Sequence, residues 1–432
     1  MNTIIINPPR NDWSGLMSRP QIDSKDLNGT VLNIINTVKA QGDVAMKNFS
    51  LQFHGFAPAN LWVTADEIAE SSKKIPSALK KSILLAQKNI EKFHKQQFEI
   101  IKKIETSSGV VCWRKSVPVE KVGLYIPGGS APLFSTLLML AIPAKIAGCK
   151  NILVTTPSNK NGDVDATILF VANILGIENI YKGGGAQAIA AMAYGTQTVE
   201  RVDKIFGPGN QYVTCAKKMV NMDGVAIDML AGPSEVAVYA DETCIPEFVG
   251  ADLLSQAEHG GDSQVVLVAA NEQIIEKVIS EIHQQLPQLP RKEIIERSFL
   301  NRRFLVIENT EEAFDFLNEY APEHLIIASE NAEQLSESVR NAGSVFLGNF
   351  SPESAGDYAS GTNHSLPTNG LAKTFSGVSV DSFVKKITFQ KLSAEGIKNI
   401  GESVEIMATA EGLTAHKNAV SIRLKKIKDG KI

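Results

Sequence analysis

Four of the chain's seven histidines stand beside other groups that can do chemistry: His259 in Gln256-Ala-Glu-His259, His324 in Pro322-Glu323-His324, His364 in Gly361-Thr-Asn-His364, and His416 in Thr414-Ala-His416. Gln256 and His259 are three residues apart at the end of an apolar-periodic stretch stopped by Gly260-Gly261. On a helix, that spacing turns an amide and an imidazole toward one point. Alone, such a pair is an ordinary surface or capping pair; it becomes a metal site only when further donors join. The candidates are Asp357 in Ser354-Ala-Gly-Asp357, His364 and His416. Imidazole nitrogens combined with oxygen donors suit zinc better than calcium or magnesium.

Glu323-His324 sets an acid next to an imidazole, a pair that can divide general-base and proton-shuttle duties near neutral pH. Pro322 keeps its predecessor out of helix, which puts the pair in a turn leading into the apolar run after it; an exposed loop pair is the plain alternative. Glu411 lies five residues before His416, about 140° around an ideal helix. Both can face one site only if a helix starts near Thr414 and leaves Glu411 in the turn before it. Otherwise Glu411 is a solvated helix-end carboxylate.

Three glycine-bearing turns add a second kind of chemistry. Gly183-Gly184-Gly185-Ala186-Gln187-Ala188 fits G-x-G-x-x-A, with Asp203 downstream at a distance suited to a ribose contact. A tight strand-to-helix turn accounts for the same glycines. Gly207-Pro208-Gly209-Asn210 and Pro127-Gly128-Gly129-Ser130 follow neighbouring strand candidates, so the three turns would line one crevice at strand carboxyl ends, with a dinucleotide as its natural occupant. Gly232-Pro233-Ser234 reads as a linker between modules, and its position aims Ser234 into any interdomain cleft.

Elements of alternating type must position these residues. The first ~115 residues read mainly as helix, from the 3.6-residue apolar spacing in 30–49 and 78–93. Strand candidates at 122–126, 151–155, 179–182 and 204–206 alternate with helical stretches, as in βα units around a mostly parallel sheet. A second series follows at 236–240, 264–269, 304–307, 325–328 and 344–347. The Gly/Ser/Asn-rich stretch 349–370, which carries Glu353, Asp357 and His364, reads as a functional loop, and helical patterns run from 380 to the end.

Composition excludes other classes. The chain has 43 basic and 47 acidic residues, a net charge of −4, so no basic field is available to hold nucleic acid. The cysteines at 112, 149, 215 and 244 form no CxxC pair or disulfide framework, which fits a reducing compartment. The opening MNTIIIN is too short an apolar run for a secretory signal, so a cytoplasmic location is expected. The uncharged stretch 122–144 is long enough to span a bilayer, but Pro127, Gly128, Gly129, Pro132 and Pro143 break it and leave 133–142 as a buried core helix.

Seven segments, in order over nearly the whole chain, together resemble the histidinol dehydrogenase family: 122–150, 204–210, 228–236 (DMLAGPSEV), 252–259 (DLLSQAEH), 321–326 (APEHLI), 342–365 and 411–420 (EGLTAHKNAV). The resemblance implies two tandem Rossmann-like, aldehyde-dehydrogenase-like α/β modules at 121–235 (NAD side) and 236–348 (zinc and substrate side). A mainly helical segment, 1–120, would pack on the first, and 349–432 would form a catalytic loop and a dimerisation arm. It implies one Zn²⁺ per subunit on Gln256, His259, Asp357 and His416. Substrate contacts would come from Ser234, Gln256, His259, His324, Asp357, Glu411 and His416, and NAD would lie near Tyr125, Gln187 and Asn210. Glu323 and His324 would be the acid/base pair that takes L-histidinol through its aldehyde to L-histidine with two NAD⁺. In a homodimer, the arm would carry Glu411 and His416 into the partner's site. Gly261, Tyr239 and Gly250 depart from the family's usual residues, and the family's mode of binding dinucleotide differs from the Rossmann fingerprint. The competing readings are a paralogue acting on another small amino alcohol or diol, a zinc hydrolase with Glu323 activating metal-bound water, and a non-catalytic zinc-binding protein.

Overall fold

Runs of β-branched residues short enough to be strands, each followed by an amphipathic or wholly apolar helix, fold back on themselves as parallel units. The computed structural model describes residues 4–20, 26–128, 132–229 and 232–430. Gly129 and Ser130 of the first glycine turn, and Leu230 and Ala231 of the linker before Ser234, lie outside them. The strands are β1 (Ile4–Ile6), β2 (Lys103–Ser107), β3 (Val110–Pro118), β4 (Lys121–Tyr125), β5 (Asn151–Thr156), β6 (Ile180–Lys182), β7 (Lys204–Phe206), β8 (Ala226–Ile227), β9 (Glu235–Ala240), β10 (Gln264–Ala269), β11 (Arg303–Val306), β12 (His324–Ala328), β13 (Ser344–Leu347) and β14 (Val384–Leu392). The chain divides into two units: Met1–Gln96 with Glu120–Ser382, and Gln97–Val119 with Phe383–Ile432.

The first unit holds two all-parallel sheets, ordered β6-β5-β4-β7-β8 and β1-β11-β10-β9-β12-β13. These are the two tandem parallel modules that the alternating pattern predicts. Strands covered on both faces should be apolar throughout, and β9, β10 and β12 are buried at every residue. In each sheet the strand order reverses once, between β4 and β7 and between β9 and β12, giving two topological switch points.

The helix Phe134–Ala147 after β4 is buried along nearly its whole length and continues through Pro143, where the sequence suggests a break. A proline there frees the carbonyl of Met139, four residues back. Asn363 Nδ2 donates to that oxygen at 2.7 Å, so the helix survives and the 349–370 segment is anchored to it.

In the second unit, β14-β3-β2 form an antiparallel sheet, and the helices Ala394–Ala410 and Thr414–Lys428 follow. Here the structure corrects two expectations. Residues 103–118 form a hairpin, not helix, and 384–392 form a strand before the C-terminal helices begin. Pairing of β14 with all nine residues of β3 overrides a local pattern that fits either element. No helix among the described residues is long and apolar enough to cross a membrane.

Candidate active site

The amino ends of β9 and β12, side by side at the second switch point, carry the candidate acid/base pair. His324 is the first residue of β12 and Glu323 sits in the turn before it, as Pro322 predicts; both are buried. The neighbouring strand holds them through its own backbone. Glu235 N–H donates to Glu323 Oε2 at 2.9 Å, and Glu235 C=O faces His324 Nδ1 at 3.1 Å. A carbonyl can only accept, so Nδ1 carries the proton and Nε2 is the bare nitrogen. That Nε2 is buried, has no hydrogen-bond partner among the described residues and lies 3.8 Å from Asp357 Oδ1. Burial lowers the His324 pKa to about 3, so the ring is neutral at any working pH. Burial has the opposite effect on Glu323, pushing its carboxyl well above the usual range.

The loop expected at 349–370 contains a short helix, Glu353–Tyr358, whose four-residue spacing puts Glu353 and Asp357 on one face. His259, just past the end of the helix Pro246–Ala257, joins them: one ligand atom each from His259, Glu353 and Asp357 lie within 4.8 Å of one another. Gln256 is wholly buried. With its amide turned to satisfy its neighbours, it donates to both Glu353 oxygens (2.5 and 3.0 Å) and accepts from Glu235 N–H at 3.2 Å. Burial raises the Asp357 pKa to about 7. It also raises Glu353 well above normal, with repulsion from Asp357, Glu323 and Asp252 adding to it, and Asp252 itself is pushed up to about 7. The His259 imidazole with the Glu353 and Asp357 carboxyls forms a donor set that fits a divalent cation of zinc's preferences.

His364 flanks this cluster. Its Nδ1 faces Asp357 C=O at 3.0 Å and its Nε2 faces Thr136 Oγ1 at 3.3 Å, and burial lowers its pKa to about 4. Ser234 is half-buried and adjoins Glu235. Glu411, at the end of the helix Ala394–Ala410, and His416, in the first turn of Thr414–Lys428, belong to the second unit and are exposed. As the sequence requires, a helix starts at Thr414 and leaves Glu411 in the turn before it.

At the carboxyl ends of the other sheet, a cavity of about 710 Å³ is lined by Tyr125, Gly128, Gly184, Gly185, Gln187 and Asn210, among others, so each of the three glycine turns contributes. Tyr125 ends β4, and its hydroxyl accepts from Gly185 N–H at 3.1 Å. Asn210 caps the helix Gln211–Met222, accepting from Tyr212 N–H and Val213 N–H. Gly207 has φ +126°, and a Cβ there would meet the Tyr125 carbonyl at 2.1 Å, so glycine is obligatory. Its N–H donates to Asp228 and its carbonyl accepts from Lys217, which form a buried ion pair. Asp203 does not serve as a ribose acceptor: it precedes β7 and accepts from Lys121 N–H at the start of β4, at the opposite end of the strands from the turns. Glu353's place in the cluster was missed by sequence reasoning, although its spacing from Asp357 could have revealed it.

A family model described as histidinol dehydrogenase matches residues 17–424. The histidinol dehydrogenase of Bacteroides thetaiotaomicron is 54% identical over 428 residues, covering 99% of this chain and 100% of the relative. That of Campylobacter jejuni is 51% identical over 415 residues, covering 95% and 96%. A crystal structure of histidinol dehydrogenase from Elizabethkingia anophelis matches with a TM-score of 0.97 at 54% identity, covering 98% of each chain.

Proposed function

Since the chain belongs to the histidinol dehydrogenase family, we propose that it oxidises L-histidinol through the aldehyde to L-histidine, using Zn²⁺ and two NAD⁺. The observation that carries this reading is the buried His324 Nε2, without a hydrogen-bond partner among the described residues, facing the carboxyl cluster beside Glu323. The overall change is RCH₂OH + 2 NAD⁺ + H₂O → RCOO⁻ + 2 NADH + 3 H⁺. His324 Nε2, kept unprotonated by its Nδ1–H contact with Glu235, accepts the alcohol proton in each oxidation step. Glu323, made more basic by burial, draws a proton from the water that adds to the aldehyde. The hydrides pass from the substrate carbon to the coenzyme.

Gln256, His259, Asp357 and His416 would hold the zinc, with Glu353 orienting Gln256. When bound, zinc has no redox role and would grip the substrate's imidazole and amino group, fixing the carbinol carbon toward the nicotinamide. Ser234 and Glu411 would add substrate contacts, and the cavity at Tyr125, Gln187 and Asn210 would receive NAD. His416 and Glu411 would act in the partner's site of a homodimer; the exposed Ile406, Met407, Leu413 and Ile422, on and between the helices Ala394–Ala410 and Thr414–Lys428, suit a face covered by a second copy. A cytoplasmic setting, expected from scattered cysteines with no CxxC pair, belongs to the same reading. The test is stoichiometry: the zinc-loaded protein should form about two NADH per L-histidinol consumed. One NADH, or none, would overturn the reading.

A further inference from the structure

Both members of the acid/base pair hang on the backbone of one residue, Glu235, and the side chain of that residue is itself pinned from the far N-terminal segment. Arg19 Nε and Nη2 donate to the two Glu235 carboxylate oxygens at 2.9 and 3.0 Å, a bidentate fork that fixes orientation as well as distance. Arg19 is not free to follow Glu235 if it shifts. Its Nη2 also donates to Tyr320 C=O at 2.6 Å, and its guanidinium stacks 4.1 Å above the Tyr320 ring. The Tyr320 hydroxyl is in turn tied to Gln264 in β10 at 2.8 Å. On the other side, Glu235 Oε1 accepts from Asn369 N–H at 2.5 Å, where the segment bearing Asp357 and His364 returns to the sheet.

We infer that Arg19 is a positioning residue for catalysis, holding Glu235 so that its N–H and C=O orient Glu323 and His324. The inference rests on the proposed reaction, in which those two side chains move protons. A buried charge pair is weak grounds for a purely stabilising role, since apolar replacements of such pairs are often tolerated. Here the pair has a geometric job: the backbone groups it steadies are the ones that set the His324 tautomer and the Glu323 carboxyl position. If the fork is lost, the strand end can relax, and errors near an ångström at reacting groups cost about 10²-fold in rate.

The experiment compares full-length, zinc-loaded wild type with R19K and R19M, following NADH formation from L-histidinol and the unfolding midpoint. Wild-type turnover of L-histidinol is the control: its absence would refute the proposed reaction itself and not the role of Arg19. With wild type active, we expect kcat of R19M to fall about 10²-fold while KM for L-histidinol and for NAD changes far less. R19K, able to hold one Glu235 oxygen, should recover part of kcat, and added guanidinium should raise the R19M rate. A kcat of R19M within about threefold of wild type, or losses confined to KM or to the fraction folded, would overturn the inference. Should R19M fail to fold, R19K and E235D decide it: both must lose kcat selectively, because each weakens the fork without emptying the site, and unchanged kcat in both would again overturn it.

Discussion

At His324 a single hydrogen-bond partner decides what the residue can do. Because Nδ1 faces a carbonyl, the proton sits there and Nε2 is left as an acceptor. H324N should therefore lower kcat by about 10²–10⁴-fold with NAD affinity little changed, as measured by steady-state kinetics and NAD titration; an active H324N would move the base elsewhere. Glu353 answers to a different readout. Replacing it by Gln removes the carboxylate that takes both Gln256 contacts, so E353Q should bind zinc about 10–100-fold more weakly in a chelator competition assay. The Asp357 pKa gives a pH test. In the fold it stands at about 7, against roughly 3.9 in an unfolded chain, so the metal-free folded protein holds a proton that the unfolded chain releases. Metal-free stability should thus fall, on this account, as pH rises from about 4 to 7. Zinc needs the carboxylate, so its affinity should rise about tenfold from pH 6 to pH 8 and its effect on the melting temperature should grow with it. Equal stabilisation at both pH values would contradict the assignment. The Glu323-His324 pair and Asp357 were legible in the sequence by type and context. Arg19 and Glu235 were not, because their roles depend on contacts between residues 88 to 301 positions apart, which leave no local pattern.

At the scale of elements, the βα alternation was plain because fully buried parallel strands are continuously apolar, and their bounds in the structure fall within a residue or two of the apolar runs. The hairpin 103–118 and the strand 384–392 were hidden, since each is specified by its partner and not by its own periodicity. The helix that brings Glu353 beside Asp357 was masked by the Gly/Ser/Asn composition around it. Elements also keep the shape of the cavity proposed to receive NAD. The Gly207 turn is gripped at both backbone groups by Lys217 and Asp228, a pair 3% exposed on each side chain. K217M leaves Asp228 buried without its partner and should cost about 3–5 kcal/mol, read from urea unfolding, and should raise KM for NAD. A K217M protein of wild-type stability would show that the pair does not hold this turn.

For the whole molecule, the decisive matter is how donors on separate segments come to serve one site. The first unit alone assembles Gln256, His259, Glu353, Asp357, Glu323 and His324, whereas Glu411 and His416 stand exposed on the second. If a partner supplies His416, mixing inactive H324N with inactive H416N under conditions that exchange subunits should restore about a quarter of wild-type activity, from hybrids with one intact site; no recovery would place His416 in its own chain's site or in none. Sequence spacing could nominate those donors, but it could not say which chain each serves. The most direct measurement is anomalous diffraction at the zinc edge from crystals of the zinc-loaded protein. We expect one peak per chain, about 2.0–2.2 Å from His259 nitrogen and Asp357 oxygen, with a histidine at position 416 completing the shell. A peak elsewhere, or none, would contradict the assignment of this cluster as the catalytic metal centre.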